Sequence, residues 1–407
     1  MAWRNVWRNR RRTFLTIAAI SFASALLVFM LSFQFGSYET MINTAVKIHT
    51  GHLQVQGEGY HEKKDIRLVV PDPAAAGRLL EKIPGVEAYT YRATTFSLVS
   101  SQNRTYGTAV IGIDPTKEAR VSTIISIIRK GRYLAAEDTS QALVGELLAH
   151  NLNIRLGDEL TILGQGYDGS IAATAVTVTG IYRSGQDEFD RGAIQIPLSF
   201  FQSVFTLNKA VHEVVAICTS LGAVTEVKRN LAAELKTLKG TDSLVVLDWK
   251  ELMPGLYQGI SIDLISGVIL YLLLIVVVAF SILNTFLMAI FERAREFGVM
   301  MAIGTTSRRL TKLLLIESII MTLLGIVIGI ILGILVTWYS QVHGIDLGSK
   351  ASEIMAQFGI SGRLHPQLSL LSISVGPCVV LIITIITALY PVLRVRRLRP
   401  VEALTYV

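Results

Sequence analysis

The sequence predicts a membrane protein in which an α-helical domain of four transmembrane spans carries a large extracytoplasmic α+β domain between spans 1 and 2. Three observations lead to this fold class. The chain of 407 residues is 51% hydrophobic and has a mean hydropathy of +0.50. It contains four long runs without a charged residue. Its positive charges are concentrated beside those runs, whereas the long segment between the first two runs is almost balanced in charge.

The four uncharged runs set the transmembrane domain. They occupy residues 13–38, 264–291, 318–345 and 364–393. Each exceeds the roughly 20 residues that a helix needs to cross a bilayer. A buried core helix is the alternative for one run, but four such runs in one chain favour the membrane. We therefore expect the spans at residues 13–38, 262–291, 313–340 and 368–393.

The charges orient these spans. Residues 1–12 contain five arginines, residues 291–312 contain five basic and two acidic residues, and residues 394–407 contain four arginines and one acid. Positive residues stay on the cytoplasmic side. Both termini and the element at 292–312 are therefore expected in the cytoplasm of a bacterium, whose cytoplasmic membrane the chain would cross.

Two segments then lie outside the membrane, a domain at residues 39–261 and a short loop at 341–367. The domain carries 22 basic and 24 acidic residues. The basic pI of about 9.3 therefore comes from the cytoplasmic edges and indicates contact with anionic lipid. No nucleic-acid partner is needed to explain it.

The N-terminus is expected to be an interfacial helix over residues 1–12. Trp3, Val6 and Trp7 follow helical spacing among arginines, as in helices that lie at the headgroup level. A simple positive-inside signal is the alternative. The apolar run that follows is longer than that of a cleavable signal peptide, which favours a retained anchor. The two cysteines, Cys218 and Cys378, fall in the domain and in span 4, so we expect no disulfide and two buried apolar side chains.

The segment at residues 292–312 is predicted to be a cytoplasmic coupling element. It is short, charged and amphipathic, with a span on each side. Gly304 lies where a helix would end, and Ser307 lies where the next helix would be N-capped. A partner that pushes on this segment would push on both spans. A basic turn that serves only topology is the alternative.

Span 3 carries two further candidate features. Gly325, Gly329 and Gly333 share one helix face and would let another helix approach closely. That helix could belong to the same chain or to a second subunit. Glu317 lies near the start of the span, where a charge usually pairs inside the bundle. Arg293 and Arg295 are possible partners, and a glutamate that faces water at the interface is the alternative.

The external domain is predicted to mix helices and strands. We expect helices at 73–83, 143–152, 198–205 and 224–238, and strands at 51–55, 86–93, 96–100, 106–113, 159–163, 173–182, 193–196 and 243–247. His49 and His52 lack a third ligand at a suitable spacing, so no metal site is expected.

Motifs for chemistry are missing from the sequence. It has no phosphate-binding Gly-x4-Gly-Lys-Ser/Thr loop and no motif of a hydrolase or metalloprotease. We therefore expect no enzyme activity and no cofactor in this chain. If ATP drives the protein, a separate ATPase subunit would bind the ATP and Mg.

The coupling element also carries a family resemblance. The pattern is Glu292-Arg293-x-Arg295-Glu296-x-Gly298, then Ala302-x-Gly304, Arg308-Arg309 and Glu317. It resembles the permease signature of the MacB/LolC/FtsX superfamily of ABC transporters. The resemblance implies mechanotransmission, in which an ABC ATPase on the cytoplasmic face moves the external domain. It assigns ATPase coupling to Glu292, Arg293, Arg295, Glu296, Gly298, Met300, Ala302, Gly304, Arg308 and Arg309.

Within this superfamily the layout is most similar to LolC/LolE-type lipoprotein-releasing permeases, because the external domain starts with Gly51-His52-Leu53-Gln54-Val55. The resemblance implies a porter-like lobe with an inserted β-rich lobe at about 115–205. It also implies a second permease subunit and a substrate or carrier protein outside the membrane. One departure is the turn at 164–171, which is shorter than the carrier-recruiting hairpin of LolC-type members. Release or export of a lipoprotein or other lipid-like substrate is thus the first expectation, and an FtsX-like regulator of a cell-wall hydrolase or a MacB-like efflux permease are the alternatives.

Overall fold

The computed structural model describes Trp7 and residues 10–102, 104–237, 243–292, 294–346, 348 and 363–395. Two compact units are present. The membrane unit draws on Met1–Tyr38, Gly259–Asp346 and Arg363–Val407, and the external unit draws on Glu39–Gln258 and Leu347–Gly362. Most of the interfacial helix expected at 1–12 and of the tail at 394–407 lies outside the described residues, so both stay predictions.

Long helices lie towards both ends of the chain, and short helices and strands lie between them. The helices are α1 (Arg10–Ala45), α2 (Tyr60–Lys63), α3 (Pro73–Lys82), α4 (Pro115–Val121), α5 (Glu146–Leu152), α6 (Asp187–Gly192), α7 (Leu198–Val204), α8 (Val224–Leu235), α9 (Trp249–Leu252), α10 (Pro254–Glu292), α11 (Ala294–Ala302), α12 (Ser307–His343) and α13 (Leu370–Val395). The strands are β1 (Leu53–Gly57), β2 (Val86–Ser101), β3 (Arg104–Ile113), β4 (Ile128–Gly131), β5 (Gln141–Gly145), β6 (Glu159–Gln165), β7 (Ile171–Tyr182), β8 (Ala193–Pro197), β9 (Glu213–Cys218), β10 (Leu244–Asp248), β11 (Ile345–Asp346) and β12 (Arg363–Leu364). A π-helical turn at Val46–Thr50 follows α1.

Among the described residues, four helices are long and apolar enough to cross a membrane, namely α1, α10, α12 and α13. Even α13, with 26 residues, reaches about 39 Å at a rise of about 1.5 Å per residue, and the hydrocarbon core is roughly 30 Å thick. The helices α1, α10 and α12 enclose the predicted spans and run beyond them. The fourth helix begins at Leu370, slightly later than the predicted span.

The membrane unit has an apolar core and an apolar exterior. Its core contains side chains from all four long helices, including Ile20, Ile282, Met321 and Val380. Many large apolar side chains on the same helices are exposed, among them Phe22 at 69% and Ile331 at 53%. An apolar exterior of this extent fits a surface covered by lipid.

The external unit is built on one sheet that contains strands from inside and from outside the expected insertion at 115–205. The strand order is β10-β1-β9-β2-β3-β8-β5-β7-β4, and β6 pairs with β2 and β7. Two pairs are parallel, β3 with β8 and β5 with β7. The expected insertion at 115–205 therefore does not form a separate sheet. Strand β2 pairs with β6 of the insertion and with β9 outside it, and β3 pairs with β8 of the insertion and with β2 outside it.

Most predicted elements of this unit are present, and three of the differences concern strands inside the sheet. The helix predicted at 143–152 is wrong in its first part, because Gln141–Gly145 is a central strand and the helix begins at Glu146. The strands predicted at 86–93 and 96–100 are one strand, β2. Strand β9 was not predicted, although all six of its residues are buried. An apolar run without alternation is typical of a strand that is covered on both faces.

Candidate coupling site

The coupling element is a short helix, a tight turn and the start of α12. Amide N–H groups of Gly304 and Thr305 donate to the carbonyl oxygens of Met301 (3.0 Å) and Met300 (2.9 Å). These are the two bonds of a Schellman motif, which closes a helix with a left-handed residue. Gly304 has a φ of +101°, which favours glycine. The predicted helix end at Gly304 is therefore confirmed.

The prediction that Ser307 is the N-cap is wrong by one residue. Thr306 takes the N-cap position with φ −72° and ψ 145°, and its side chain makes no capping hydrogen bond. Ser307 is the first residue of α12, and its hydroxyl contacts the Met301 sulfur at 3.8 Å. Because Ser307 already lies inside the helix, its hydroxyl cannot accept the hydrogen bonds that an N-cap side chain accepts from the first free amide groups. Instead, this contact joins α11 to the start of α12.

The surface of the coupling element combines apolar and charged side chains. Ile303 is 81% exposed and Val299 is 45% exposed. Arg308 and Arg309 are exposed on the first turn of α12, and Glu296 is exposed on α11. Exposed aliphatic groups beside charges are typical of a surface that contacts another protein.

The remaining coupling residues are only partly described. Ala302 is exposed, Met300 is half-buried and Gly298 is buried. Arg293 lies outside the described residues, and so do the side chains of Glu292 and Arg295. The roles predicted for these three residues, and for the element as a whole, stay predictions.

The glycine face of α12 packs against α1 of the same chain. A Cβ at Gly329 would lie 2.6 Å from the Ser21 carbonyl oxygen, and a Cβ at Gly325 would lie 2.8 Å from Ile20. The same holds for Gly333, whose added Cβ would lie 2.9 Å from Val28. The sequence left open whether this face meets a helix of the same chain or of a second subunit. In the structure it meets α1 of the same chain. The hydroxyl of Ser21 also donates to the Gly325 carbonyl at 2.9 Å.

Glu317 lies inside the membrane unit. It is 3% exposed, and neighbours on the same face, Ser318 and Thr322, are also buried. The alternative of a glutamate that faces water is therefore wrong for this chain. Because Arg293 and the side chain of Arg295 are outside the described part, the predicted pairing with either residue stays a prediction.

A polar cluster joins α1 to α10, and the sequence analysis missed it. The Gln34 amide donates to the Tyr38 hydroxyl at 2.8 Å, and that hydroxyl donates to the carboxylate of Asp263. The Tyr271 hydroxyl donates to Gln34 Oε1 at 2.8 Å. Gln34, Tyr38 and Asp263 are polar residues near the ends of two apolar runs, which was the available signal, whereas Tyr271 lies inside the second run. The cluster fixes the two helices to each other.

A buried ion pair lies in the external unit next to the π-helical turn. The Arg92 side chain on β2 is 1% exposed and that of Glu118 on α4 is 0% exposed. Guanidinium atoms Nε and Nη2 donate to the carboxylate at 3.0 and 2.6 Å. Nη1 donates to the carbonyl oxygen of His49 in the π-helical turn. One guanidinium therefore connects β2, α4 and the turn that follows α1.

The two histidines considered as metal ligands have other partners. The His52 ring bonds to the Cys218 amide N–H at 3.0 Å and to Asn43 Oδ1 at 3.1 Å. Burial lowers the pKa of His52 to about 4. Burial, together with the Arg92 charge, lowers the pKa of His49 well below its ordinary value. Both rings are therefore neutral near pH 7. Among the residues that the structure covers, no three His, Cys, Asp or Glu side chains are placed to hold a metal ion.

The cysteines remain unpaired in the structure. Cys218 is buried, as expected, but Cys378 is exposed on α13. The expectation of two buried side chains is thus wrong for Cys378. Cys378 lies on a face of α13 that the rest of the membrane unit does not cover.

The turn between β6 and β7 is short and internally bonded. The Gly166 amide donates to the Ser170 carbonyl at 2.9 Å, and Asp168 Oδ1 accepts from the Ser170 amide at 3.0 Å. Gly169 has a φ of +87°. The strands pair up to Gln165 and Ile171, so no extended hairpin projects from this position.

An apolar strip lies on the same part of the sheet. Leu98 on β2 pairs directly with Leu163 on β6, and Phe96 lies two residues from Leu98 on the same face. Ile171 pairs with Gln165, two residues from Leu163. The exposed fractions are 66% for Phe96, 49% for Leu98, 44% for Leu163 and 82% for Ile171. Four large exposed apolar side chains on one face are typical of a protein contact.

Two protein-family models match the chain. The MacB-like periplasmic core domain matches residues 13–234, which is more than half of the chain. The C-terminal region of FtsX-like permeases matches residues 268–400. The first match includes α1 and most of the external unit, and the second includes the coupling element and the glycine face.

Similar proteins share these regions at low identity. The lipoprotein-releasing system transmembrane protein LolC of Neisseria meningitidis is 21% identical, over 97% of this chain and 94% of its own length. LolC of Xylella fastidiosa is 22% identical over 72% of each chain. The macrolide export ATP-binding/permease protein MacB of Bdellovibrio bacteriovorus is 22% identical over 98% of this chain and 60% of its own length.

Proposed function

The chain belongs to the ABC transporter permease family with a MacB-like periplasmic core and an FtsX-like C-terminal region, and we propose that it couples ATP hydrolysis by a separate subunit to movement of its external domain. It is a multi-pass membrane protein with four apolar helices. In the proposal, both termini and the coupling element lie on the cytoplasmic side of a bacterial cytoplasmic membrane. A second permease subunit, identical or different, completes the transporter.

The observation that carries the coupling proposal is the surface of the coupling element. Ile303 and Val299 expose apolar area beside Arg308 and Arg309. A groove on an ATPase subunit would bury the apolar side chains, and acidic groups at its rim would pair with the arginines. The ATPase would hold ATP and Mg. This chain would supply no catalytic group.

Two rigid connections support transmission of the motion. The Schellman motif at Gly304 and the Ser307–Met301 contact fix α11 to α12. The glycine face then fixes α12 to α1, because the two helices touch at backbone distance. A push on the coupling element would therefore reach α1, a continuous helix of 36 residues. The π-helical turn after α1 contacts Arg92, which would pass the motion to the sheet.

A lipoprotein or another lipid-like molecule is the proposed substrate. An apolar groove of about 520 Å³ runs along α1 and α12 in the membrane unit. Phe14, Phe22 and Phe29 line one side of it, and Ile328 and Leu332 line the other. A groove without charged side chains matches an acyl chain. The relatives named as lipoprotein-releasing proteins agree with this choice.

The external partner would contact the apolar strip. The strip formed by Phe96, Leu98, Leu163 and Ile171 offers a flat sheet surface to a substrate protein or a carrier. The short turn at Gly166 leaves this surface as the contact, in place of a projecting hairpin.

Chemical cross-linking in native membranes tests the coupling proposal. The full-length chain would be purified after cross-linking from a residue placed at Thr305, and the products identified by mass spectrometry. We expect an ATP-binding subunit to be the main cross-linked protein. Ile303→Asp should remove this product, because it places a charge in the apolar contact, while Thr306→Ala should keep it. Products that contain no ATP-binding protein, or equal yields from the two variants, would contradict the proposal.

A further inference from the structure

A second cleft, of about 610 Å³, opens on the external unit where β3, β4, α5 and the end of β7 meet. It is separate from the groove in the membrane unit. Its basic lining residues are Arg104, Lys130, His150, Arg155 and Arg183. Glu146 is the one acidic residue among those that line it. These residues are far apart in sequence, so the fold gathers the charges.

The cleft is more basic than the domain that contains it. Residues 39–261 hold 22 basic and 24 acidic residues, so an average surface would show as many acids as bases. The cleft instead has four Arg or Lys side chains to one carboxylate. This imbalance creates a positive potential at one concave place, which concentrates anions.

Two of the arginines have partners within the external unit. Arg104 Nη1 donates to the carbonyl oxygen of Asn151 at 2.6 Å, which connects β3 to the end of α5. Arg183 Nε lies 3.5 Å from Glu146 Oε2, which connects β7 to the start of α5. Each guanidinium has further N–H donors that these contacts do not use. Arg104 is therefore oriented before any ligand binds, whereas the exposed Arg183–Glu146 pair orients Arg183 only weakly.

The other two cations are available to a ligand. Lys130 and Arg155 are both exposed. In the described part of the chain, neither has a carboxylate within ion-pair distance. Glu146 and His150 of α5, and Asn153 directly after it, also line the cleft. Ile154 and Ile181 are buried apolar residues of the cleft lining.

We propose that this cleft binds a phosphate group, carried either on an anionic lipid headgroup or as free phosphate. A phosphate presents several acceptor oxygens, which match the guanidinium groups of Arg104 and Arg183 and the two further cations. Four cations against one carboxylate exceed what a single carboxylate ligand would neutralise. The volume lies in the range of about 300–1,000 Å³ that small-molecule sites occupy. The proposal does not depend on the substrate or the ATPase proposed above.

Protection of Lys130 from acetylation tests the proposal at the site itself. The full-length chain in a neutral detergent would be acetylated with and without inorganic phosphate or short-chain phosphatidylglycerol, at matched ionic strength. Mass spectrometry would compare Lys130 with Lys209, an exposed lysine outside the cleft. We expect selective protection of Lys130. If phosphatidylglycerol acts at lower concentration than phosphate, the source is a lipid headgroup, and the opposite order indicates free phosphate.

Paired variants complete the test. Arg155→Gln removes one available cation. It should raise the ligand concentration needed for half-protection of Lys130 by roughly tenfold, because one hydrogen bond between charged groups changes the affinity by about a factor of ten. Arg78→Gln removes the same charge at an exposed site outside the cleft and should leave protection unchanged. Equal protection of Lys130 and Lys209 by both probes, or equal effects of the two variants, would overturn the proposal.

Discussion

Removing Glu118 should destabilise the external unit by several kilocalories per mole. The Arg92 and Glu118 side chains are 1% and 0% exposed, and two hydrogen bonds of 3.0 and 2.6 Å join them. Glu118→Ala would leave a charged guanidinium that neither water nor a carboxylate can reach. Breaking a buried pair in this way costs about 3–5 kcal/mol. That is a large part of the roughly 5–15 kcal/mol that stabilises a typical domain.

Urea-dependent proteolysis of the full-length chain in detergent would measure this loss. The matched control is Glu146→Ala, because Glu146 pairs at 3.5 Å with Arg183, whose side chain is 63% exposed. An exposed pair contributes less than about 1 kcal/mol, so this variant should resemble the parent. The double variant Arg92→Met/Glu118→Leu removes both charges and should recover most of the loss. The reasoning would be refuted if Glu118→Ala changed the unfolding midpoint no more than Glu146→Ala does.

Two further predictions concern the membrane unit. In a background without the native cysteines, a cysteine at Thr305 should be shielded from impermeant thiol reagents in intact cells and one at Gly166 should be labelled, whereas equal labelling would exclude the four-span topology. Gly329→Leu should lower the stability of the membrane unit by about 1–3 kcal/mol, because the leucine side chain would overlap Ser21 and Ser24. It should abolish activity while the external unit stays folded. Ile331→Leu on the exposed side of the same helix is its control, and wild-type activity of Gly329→Leu would show that the helices separate easily.

The sequence predicted the features that depend on local chemistry. Span lengths follow from uncharged runs, and the helix end at Gly304 follows from the need for a left-handed residue. Local patterns failed where tertiary contacts decide. Leu143 and Val144 form a strand inside the sheet, although the spacing of apolar residues from Leu143 to Leu152 also fits one face of a helix.

The candidate sites show the same limit. Periodicity predicted which face of α12 carries Gly325, Gly329 and Gly333, but the neighbour on that face depends on the packing of α1. The pair of Arg92 with Glu118 and the basic cleft join residues that are distant in sequence. No spacing rule indicates such contacts, so only the fold reveals them.

Met300→Pro in the coupling element tests the central claim most directly. Proline removes a backbone donor and clashes with the preceding turn of α11, at about 3 kcal/mol or more. The change leaves every charge of the element in place, and we expect lipid and helix packing to stabilise α10 and α12 independently of it. The measurement is the amount of ATPase subunit that copurifies with the variant, together with function in the cell, and Thr306→Ala serves as the mild control. We predict normal membrane insertion, weak or unproductive ATPase binding and loss of function. Normal ATPase binding and normal function in Met300→Pro would contradict a coupling role and would leave this segment as a basic turn that serves only topology.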